Sequence, residues 1–527
     1  MTTTVEQWAA FELPLTSDQS YDNPLQDVLL VATFLSDSGL VRRVDGFWDG
    51  GATWRVRFAP PATGRWRYTT ECNDSRNLGL HGITGVFTCV ESSGGARFQQ
   101  HGPVVVAPDG RHLAHADGTP YFYLADTCWN GPLLAADDEW RHYLDTRTEQ
   151  GFTAVQWVAT QWISAPDGDR DGRLPFTGHE RIAVDPAVYQ RLDARLQQIA
   201  EAGLLSVPVL LWAAEWGAYD VMKVNPGLTL PEDQAVLLAR YIVARWSAYP
   251  VLWILPGDSE YRGPRAERWK RIGRGIFAGR DHAPVSLHPN GMSWNADEFR
   301  DEPWLSLYGY QGCHMGDDNA YTWAVYGPPA SEWHVDSRPI INLEPPYENH
   351  IHIGGTERFS AADVRRAIYW SLLVSPTAGV TYGGHGVWGW DDGTRPPTAH
   401  EASGIPLPWQ EALHMPAAEQ MRHVGALFES LPWWSLRPDP ALVAEQPSDS
   451  DIKRHIAAAR SEAGDLAVIY IPQDRRVALN LSALKPDLRA EWFNPRTGDR
   501  QPAQANANAY ETPADGDWVL LFSMNYR

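Results

Sequence analysis

The sequence predicts an α/β protein: a (β/α)8 TIM barrel flanked by an N-terminal and a C-terminal antiparallel β-sandwich. Three observations predict it. Short apolar runs alternate with amphipathic helical stretches across residues 96–432, period-two runs with dense turn signals precede that region, and strand-like runs return after it. The 527 residues also exceed one core at roughly 100–200 residues per domain. Three units are expected, at 1–95, 96–432 and 433–527.

In the first unit, Trp54, Val56 and Phe58 alternate onto one face, and Asp49-Gly50-Gly51, Pro60-Pro61 and Thr63-Gly64 supply the turns of a small sandwich. Ser92-Ser93-Gly94-Gly95 reads as a linker. Barrel strands are expected at 121–125, 153–158, 204–212, 251–255, 284–288, 304–308, 339–343 and 379–382. Helix starts are marked by Asp185-Pro186, by Pro231 and by Ser360 with Asp363 three positions on. The weak link lies between the fifth and sixth strands, where the segment from His288 to Trp304 is too short for a full crossover helix. A last helix carries Met421, Val424, Phe428 and Leu431, and strands at 466–471, 477–481, 491–494 and 518–522 form the C-terminal unit.

Composition narrows the function. The formal charge is −21, spread along the chain, so a phosphate backbone would be repelled and nucleic acid is not an expected partner. No apolar run reaches the ~18 residues of a membrane span, and the N-terminal residues lack the basic start and apolar stretch of a signal peptide, so a cytoplasmic location is expected. The four cysteines form no C-x-x-C pair, and a Cys72–Cys89 disulfide is disfavoured in a reducing compartment. The 25 Trp, 20 Tyr and 15 Phe lean toward carbohydrate, whose C–H faces suit flat rings.

In a βα barrel the reactive groups come from strand C-termini and the loops that follow them. That rule selects Asp126 and Trp129, Gln161 and Trp162, Trp216, Asp258, His288, Tyr308 and His314, Glu344, and Tyr382 with Trp388. Asp258 closes an apolar fourth strand and Glu344 an apolar seventh, a placement suited to paired-carboxylate glycoside hydrolysis. Either carboxylate alone could instead be an N-cap or a surface ion-pair partner. Asp126 is read as binding sugar hydroxyls or anchoring its loop, and His288 and His314 as binding hydroxyls, orienting Glu344 or simply bonding within the fold. Tyr308 and Tyr382 steady the nucleophile or belong to the core. Trp129, Trp162, Trp216 and Trp388 are candidate stacking platforms. His350-Ile351-His352 has a metal-like spacing but no third ligand, so it is read as a solvated loop, and no metal or cofactor is expected.

Several of these runs resemble a known family. Tyr123-Leu124-Ala125-Asp126-Thr127-Cys128-Trp129, Pro256-Gly257-Asp258, Gln311-Gly312-Cys313-His314, Asn342-Leu343-Glu344-Pro345 and Gly379-Val380-Thr381-Tyr382-Gly383 resemble the apiosidase-like catalytic domain of glycoside hydrolase family 140. The N-terminal unit is similar to the sandwich placed before such barrels, and the C-terminal one to a collagen-binding-like β domain. The resemblance implies a retaining glycosidase with Asp258 as acid/base and Glu344 as nucleophile. Pro256 stands where the family usually has Gly, which keeps Glu260 as an alternative acid. Apiose-bearing pectin side chains are the family's best-known target. The missing export signal shifts the expectation to small plant- or microbe-derived glycosides, with apiosidase-like or diglycosidase-like action. The rival classes are a non-catalytic carbohydrate-binding protein and a metal-dependent hydrolase, the latter lacking a His-x-His after the first strand. The β domains are read as structural flanks, and homo-oligomerisation stays open.

Overall fold

Alternation in the N-terminal strands dictates which faces meet. A computed structural model describes residues 3–217 and 222–524. In Phe11–Thr16 and Thr53–Phe58 every second side chain is apolar, and Phe11, Leu13, Leu15, Trp54, Val56 and Phe58 are buried together. These strands and Phe47–Trp48 form a three-stranded sheet facing a five-stranded one, in which Thr3–Glu6 pairs in parallel and the other strands antiparallel. Between the sheets Phe11 stacks on Phe87 at 4.4 Å and Phe34 on Phe58 at 4.2 Å. Cys72 and Cys89 are free, because the antiparallel register puts Cys89 opposite Gly64 and Cys72 opposite Leu30.

The central sheet has eight parallel strands: β1 (Tyr123–Thr127), β2 (Ala154–Val158), β3 (Leu205–Trp212), β4 (Trp253–Gly257), β5 (Val285–Ser286), β6 (Tyr308–Gln311), β7 (Ile340–Glu344) and β8 (Gly379–Gly383). Their order, β5-β4-β3-β2-β1-β8-β7-β6, is that of a TIM barrel with its seam between β5 and β6. The seam follows from the sequence. The connection there holds only the one-turn helix Ala296–Phe299, and the chain closes the gap with the Ser306 and Leu307 amides donating to the Val285 carbonyl at 2.9 and 3.3 Å. Gly309 makes this approach possible, since a Cβ there would lie 2.3 Å from the Leu287 carbonyl oxygen.

Three expected strands move. The fourth barrel strand, placed at 251–255, runs over Trp253–Gly257. The sixth, placed at 304–308, begins instead at Tyr308, because Trp304 leaves the sheet to pack on Phe277 and over Gly273 of the preceding helix. The first begins at Tyr123, and Pro120–Tyr121 pairs with Leu113–His115 in a separate three-stranded sheet.

The helical layer includes α1 (Asp137–Glu149), α2 (Pro186–Glu201), α3 (Glu232–Trp246), α4 (Pro264–Phe277), α5 (Asp318–Tyr326), α6 (Ala361–Leu373) and α7 (Pro416–Glu429). Asp185 caps α2 by accepting from the Ala187 amide at 3.0 Å, with Pro186 in the first turn. Ser360 and Asp363 form a reciprocal capping box on α6. None of the helices among the described residues is long and apolar enough to cross a membrane.

The outer domains dock on this layer. Arg245 of α3 is fully buried and donates to Asp49 of the N-terminal sandwich at 2.7 Å and to Asp193 of α2 at 2.7 and 2.8 Å. The C-terminal six-stranded sheet shares one apolar core with α6 and α7, where Tyr369 stacks on Tyr470 at 4.7 Å and Arg365 grips Asp517 with two 2.8 Å bonds.

Candidate active site

The C-terminal ends of β1–β8 surround a cavity of about 510 Å³. Its wall is aromatic: Trp129 follows β1, Trp162 follows β2, Trp212 ends β3, Trp216 follows it, and Trp388 follows β8. The indole N–H groups of Trp212 and Trp388 are buried without an acceptor among the described residues. Such a donor costs free energy unless something in the cavity accepts from it.

Asp258 and Glu344 both line this cavity. Asp258 is the first residue after β4 and adopts a positive φ of 28°, a conformation that costs energy and is found where a side chain must be aimed. Gly257 before it is required, because a Cβ there would sit 2.3 Å from the Trp212 ring. Glu344 is the last residue of β7. His288, buried after β5, stands between them, with Nδ1 3.3 Å from Asp258 Oδ1 and Nε2 3.3 Å from Glu344 Oε2. The second contact has ion-pair distance without hydrogen-bond alignment, since Nε2 has no hydrogen-bond partner among the described residues. One oxygen of each carboxylate and one His288 nitrogen lie within 4.8 Å of one another. A cation could be held by these three groups, but they are also what acid/base chemistry needs.

The surroundings drive the two carboxyls apart. Burial pushes Asp258 up, and the Glu344 charge adds to that, against the pull of His288 and Gln311. Burial would raise Glu344 as well, yet the charge of the neighbouring His288 and the hydrogen bond from His314 hold it well below the usual carboxylate range. Burial resists charging of His288, but Asp258 and Glu344 together push it up to about 9. One carboxyl is biased to keep its proton and the other to lose it, the pattern that separates an acid from a nucleophile.

His314 orients Glu344. Its Nδ1 accepts from the Tyr347 amide at 3.3 Å, which leaves the proton on Nε2 to donate to Glu344 Oε1 at 2.8 Å. The ring is stacked on His350 at 4.5 Å and packs against Tyr347 at 4.4 Å. On the other side, Gln311 at the end of β6 donates through Nε2 to Asp258 Oδ1, with the same nitrogen 3.1 Å from His288 Nδ1.

The structure brings Asp258, Glu344, His288, His314, Trp129, Trp162, Trp216 and Trp388 together, and it places the other sequence candidates elsewhere. Asp126 faces the helical layer, fully buried between Arg147 Nε at 2.8 Å and the Tyr143 hydroxyl at 2.7 Å. Gln161 braces its own loop by donating to the Phe176 carbonyl at 2.8 Å. Tyr308 starts β6 rather than ending it, so it lies at the far end of the strand and bonds Asp336 and Arg338. Tyr382 points outward from β8 and donates to Glu348 at 2.8 Å. Glu260 is exposed, 3.7 Å from Arg265, and does not line the cavity. His350 is buried in the cavity wall rather than solvated.

Trp212, Tyr347 and His400 were missed as site residues. Tyr347 accepts from the Trp129 indole at 3.1 Å, and burial together with the Glu344 charge pushes its hydroxyl well up. Its signal was its place three residues after Glu344 in the loop following β7.

A model of the apiosidase-like catalytic domain matches residues 107–435. The chain belongs to the apiosidase-like family. This apiosidase-like protein is a glycoside hydrolase, and its substrate is a carbohydrate. Residues 4–73 match a domain of unknown function, DUF5060, and residues 437–523 match a model described as "Putative collagen-binding domain of a collagenase". A glycoside hydrolase family 5 structure from Bacteroides vulgatus ATCC 8482 is similar in fold, with a TM-score of 0.71 and 21% identity over 82% of this chain and 96% of its own. A second protein from that organism aligns over 99% of this chain and 100% of its own, with a TM-score of 0.70 and 19% identity. No curated protein matches in sequence.

Proposed function

We propose that this glycoside hydrolase works with retention of configuration, with Glu344 as nucleophile and Asp258 as acid/base. The observation that carries the reading is the pair itself. Two carboxylates with oppositely shifted proton affinities lie in one aromatic cavity, with oxygens within 4.8 Å of each other. Carboxyls with one oxygen of each this close favour the short separation of retaining enzymes, roughly 5–5.5 Å, over the roughly 6.5–9.5 Å that leaves room for a water.

In the first step a Glu344 oxygen bonds to the anomeric carbon as the glycosidic C–O bond breaks, and the Asp258 proton passes to the leaving oxygen. In the second, Asp258, now ionised, takes a proton from water while that water's oxygen displaces Glu344. His314 holds the nucleophile's oxygen in place, and His288 offsets the charge of the two carboxylates. The substrate class we assign is small plant- or microbe-derived glycosides, apiosidase-like or diglycosidase-like, because the cavity sets flat aromatic faces beside the carboxylate pair.

A panel of pentofuranosides, glucosides, galactosides, arabinosides and diglycosides, followed by NMR of the newly released anomer, tests this. Asp258→Asn and Glu344→Gln are each expected to lower kcat by about 10³-fold or more with a nearly unchanged melting temperature. Wild-type turnover in either variant would remove that residue from its role.

A further inference from the structure

Beside the catalytic cavity, past Asp258, the loops after β4, β5 and β6 enclose a second cavity of about 320 Å³. The two share a wall. Asn290 and Gly291 line the first and Met292 and Ser293 line the second, while Asp258 faces the first and Glu260 the second. The wall is pinned to the catalytic machinery: the Asn290 amide donates to the Ser259 carbonyl at 2.9 Å, and the Met292 amide to the carbonyl of Gln311, whose side chain holds Asp258. Met292 turns the corner with a φ of 57°.

The chemistry of the second cavity is specific. Trp294 and Trp323 contribute indole rings. Asn295 lines the cavity, its Nδ2 donates to the Tyr261 carbonyl at 3.2 Å, and its buried Oδ1 has no hydrogen-bond partner among the described residues, an unmet acceptor that a hydroxyl donor would satisfy. Arg262 is taken up by Asp297 at 2.8 and 3.2 Å. Glu260, Asp297 and Glu332 against Arg262 leave the lining net negative.

We propose that this second cavity is a leaving-group subsite that binds a neutral sugar unit of an extended glycoside. The proposal rests on the assignment of Asp258 as the acid. A leaving group departs on the acid's side of the nucleophile, and here that side leads over residues 290–293. The glycone occupies the other side, among Trp129, Trp162, Trp212 and Trp388. Aromatic faces and the unpaired Asn295 acceptor suit polyhydroxylated rings, and the surplus of carboxylates repels a uronate.

The test compares two substrates with the same glycone, one carrying 4-nitrophenol and one a neutral disaccharide as leaving group, using wild type, Trp323→Ala and the cavity-filling Ser293→Trp. Both variants are expected to lose about tenfold in kcat/KM on the disaccharide substrate, the effect of one lost aromatic contact, with nitrophenyl hydrolysis within about twofold of wild type. Equal effects on the two substrates, or no effect on either, would overturn the subsite and leave the catalytic pair standing. Preference for a uronic-acid disaccharide over the neutral one would overturn the assigned ligand class. Wild-type turnover of both substrates by Asp258→Asn would instead remove the acid assignment underneath.

Discussion

A strand end tells which residues reach the mouth of the barrel, but period two decides which face each side chain takes. The placement of Asp258 and Glu344 at the cavity was legible because each closes an apolar strand as a lone carboxylate. Asp126 satisfied the same rule and turned outward to Arg147 and Tyr143, and Tyr382 did the same toward Glu348. Nothing in a single sequence separates the two outcomes. The roles of the inward residues make predictions of their own. Glu344 is held low partly by the His314 donor, so His314→Ala is expected to move the acidic limb of the kcat/KM profile to higher pH, while an unmoved limb would separate His314 from the nucleophile. Asp391, beyond β8, is pushed up to about 7 by burial and by Asp392, and one of its oxygens has no hydrogen-bond partner among the described residues. A raised folded-state pKa means stability present below the unfolded value and lost as pH rises through the folded one. Asp391→Asn should therefore raise the melting temperature at pH 7 and leave it unchanged near pH 3.5. An equal change at both would contradict the burial argument.

Elements were legible where several local signals agreed. Ser360 and Asp363 announced α6 and Asp185-Pro186 announced α2, and both motifs bond as the sequence implied. The sixth strand was misplaced because Trp304, Leu305 and Leu307 look like a strand run but are buried against neighbouring helices and loops. Displacing that strand by a few residues also explains why Tyr308 was taken as a site residue. Ser360→Ala, which removes the reciprocal cap, is expected to cost about 1 kcal/mol, seen as a lower melting temperature with unchanged kcat. No shift would mean that the shared core of α6 with the C-terminal sheet sets its start without the cap.

At the scale of the molecule, the barrel is wedged between two β domains that bury charged pairs into its helices. Arg245 with Asp49 and Asp193, and Arg365 with Asp517, lie far from one another in sequence. Composition and period revealed the three-part grammar, but these contacts depend on long-range docking that no local pattern encodes. The same holds for the cavity, which draws on the ends of strands spread over about half the chain. Its chemistry is most directly tested by trapping the intermediate. A 2-deoxy-2-fluoro glycoside of the preferred sugar, with a good leaving group, should inactivate the enzyme and add one sugar mass to the peptide containing Glu344, and hydrolysis should release the retained anomer first. Label on another residue, or an inverted first product with no label, would contradict the assignment of Glu344 as the nucleophile.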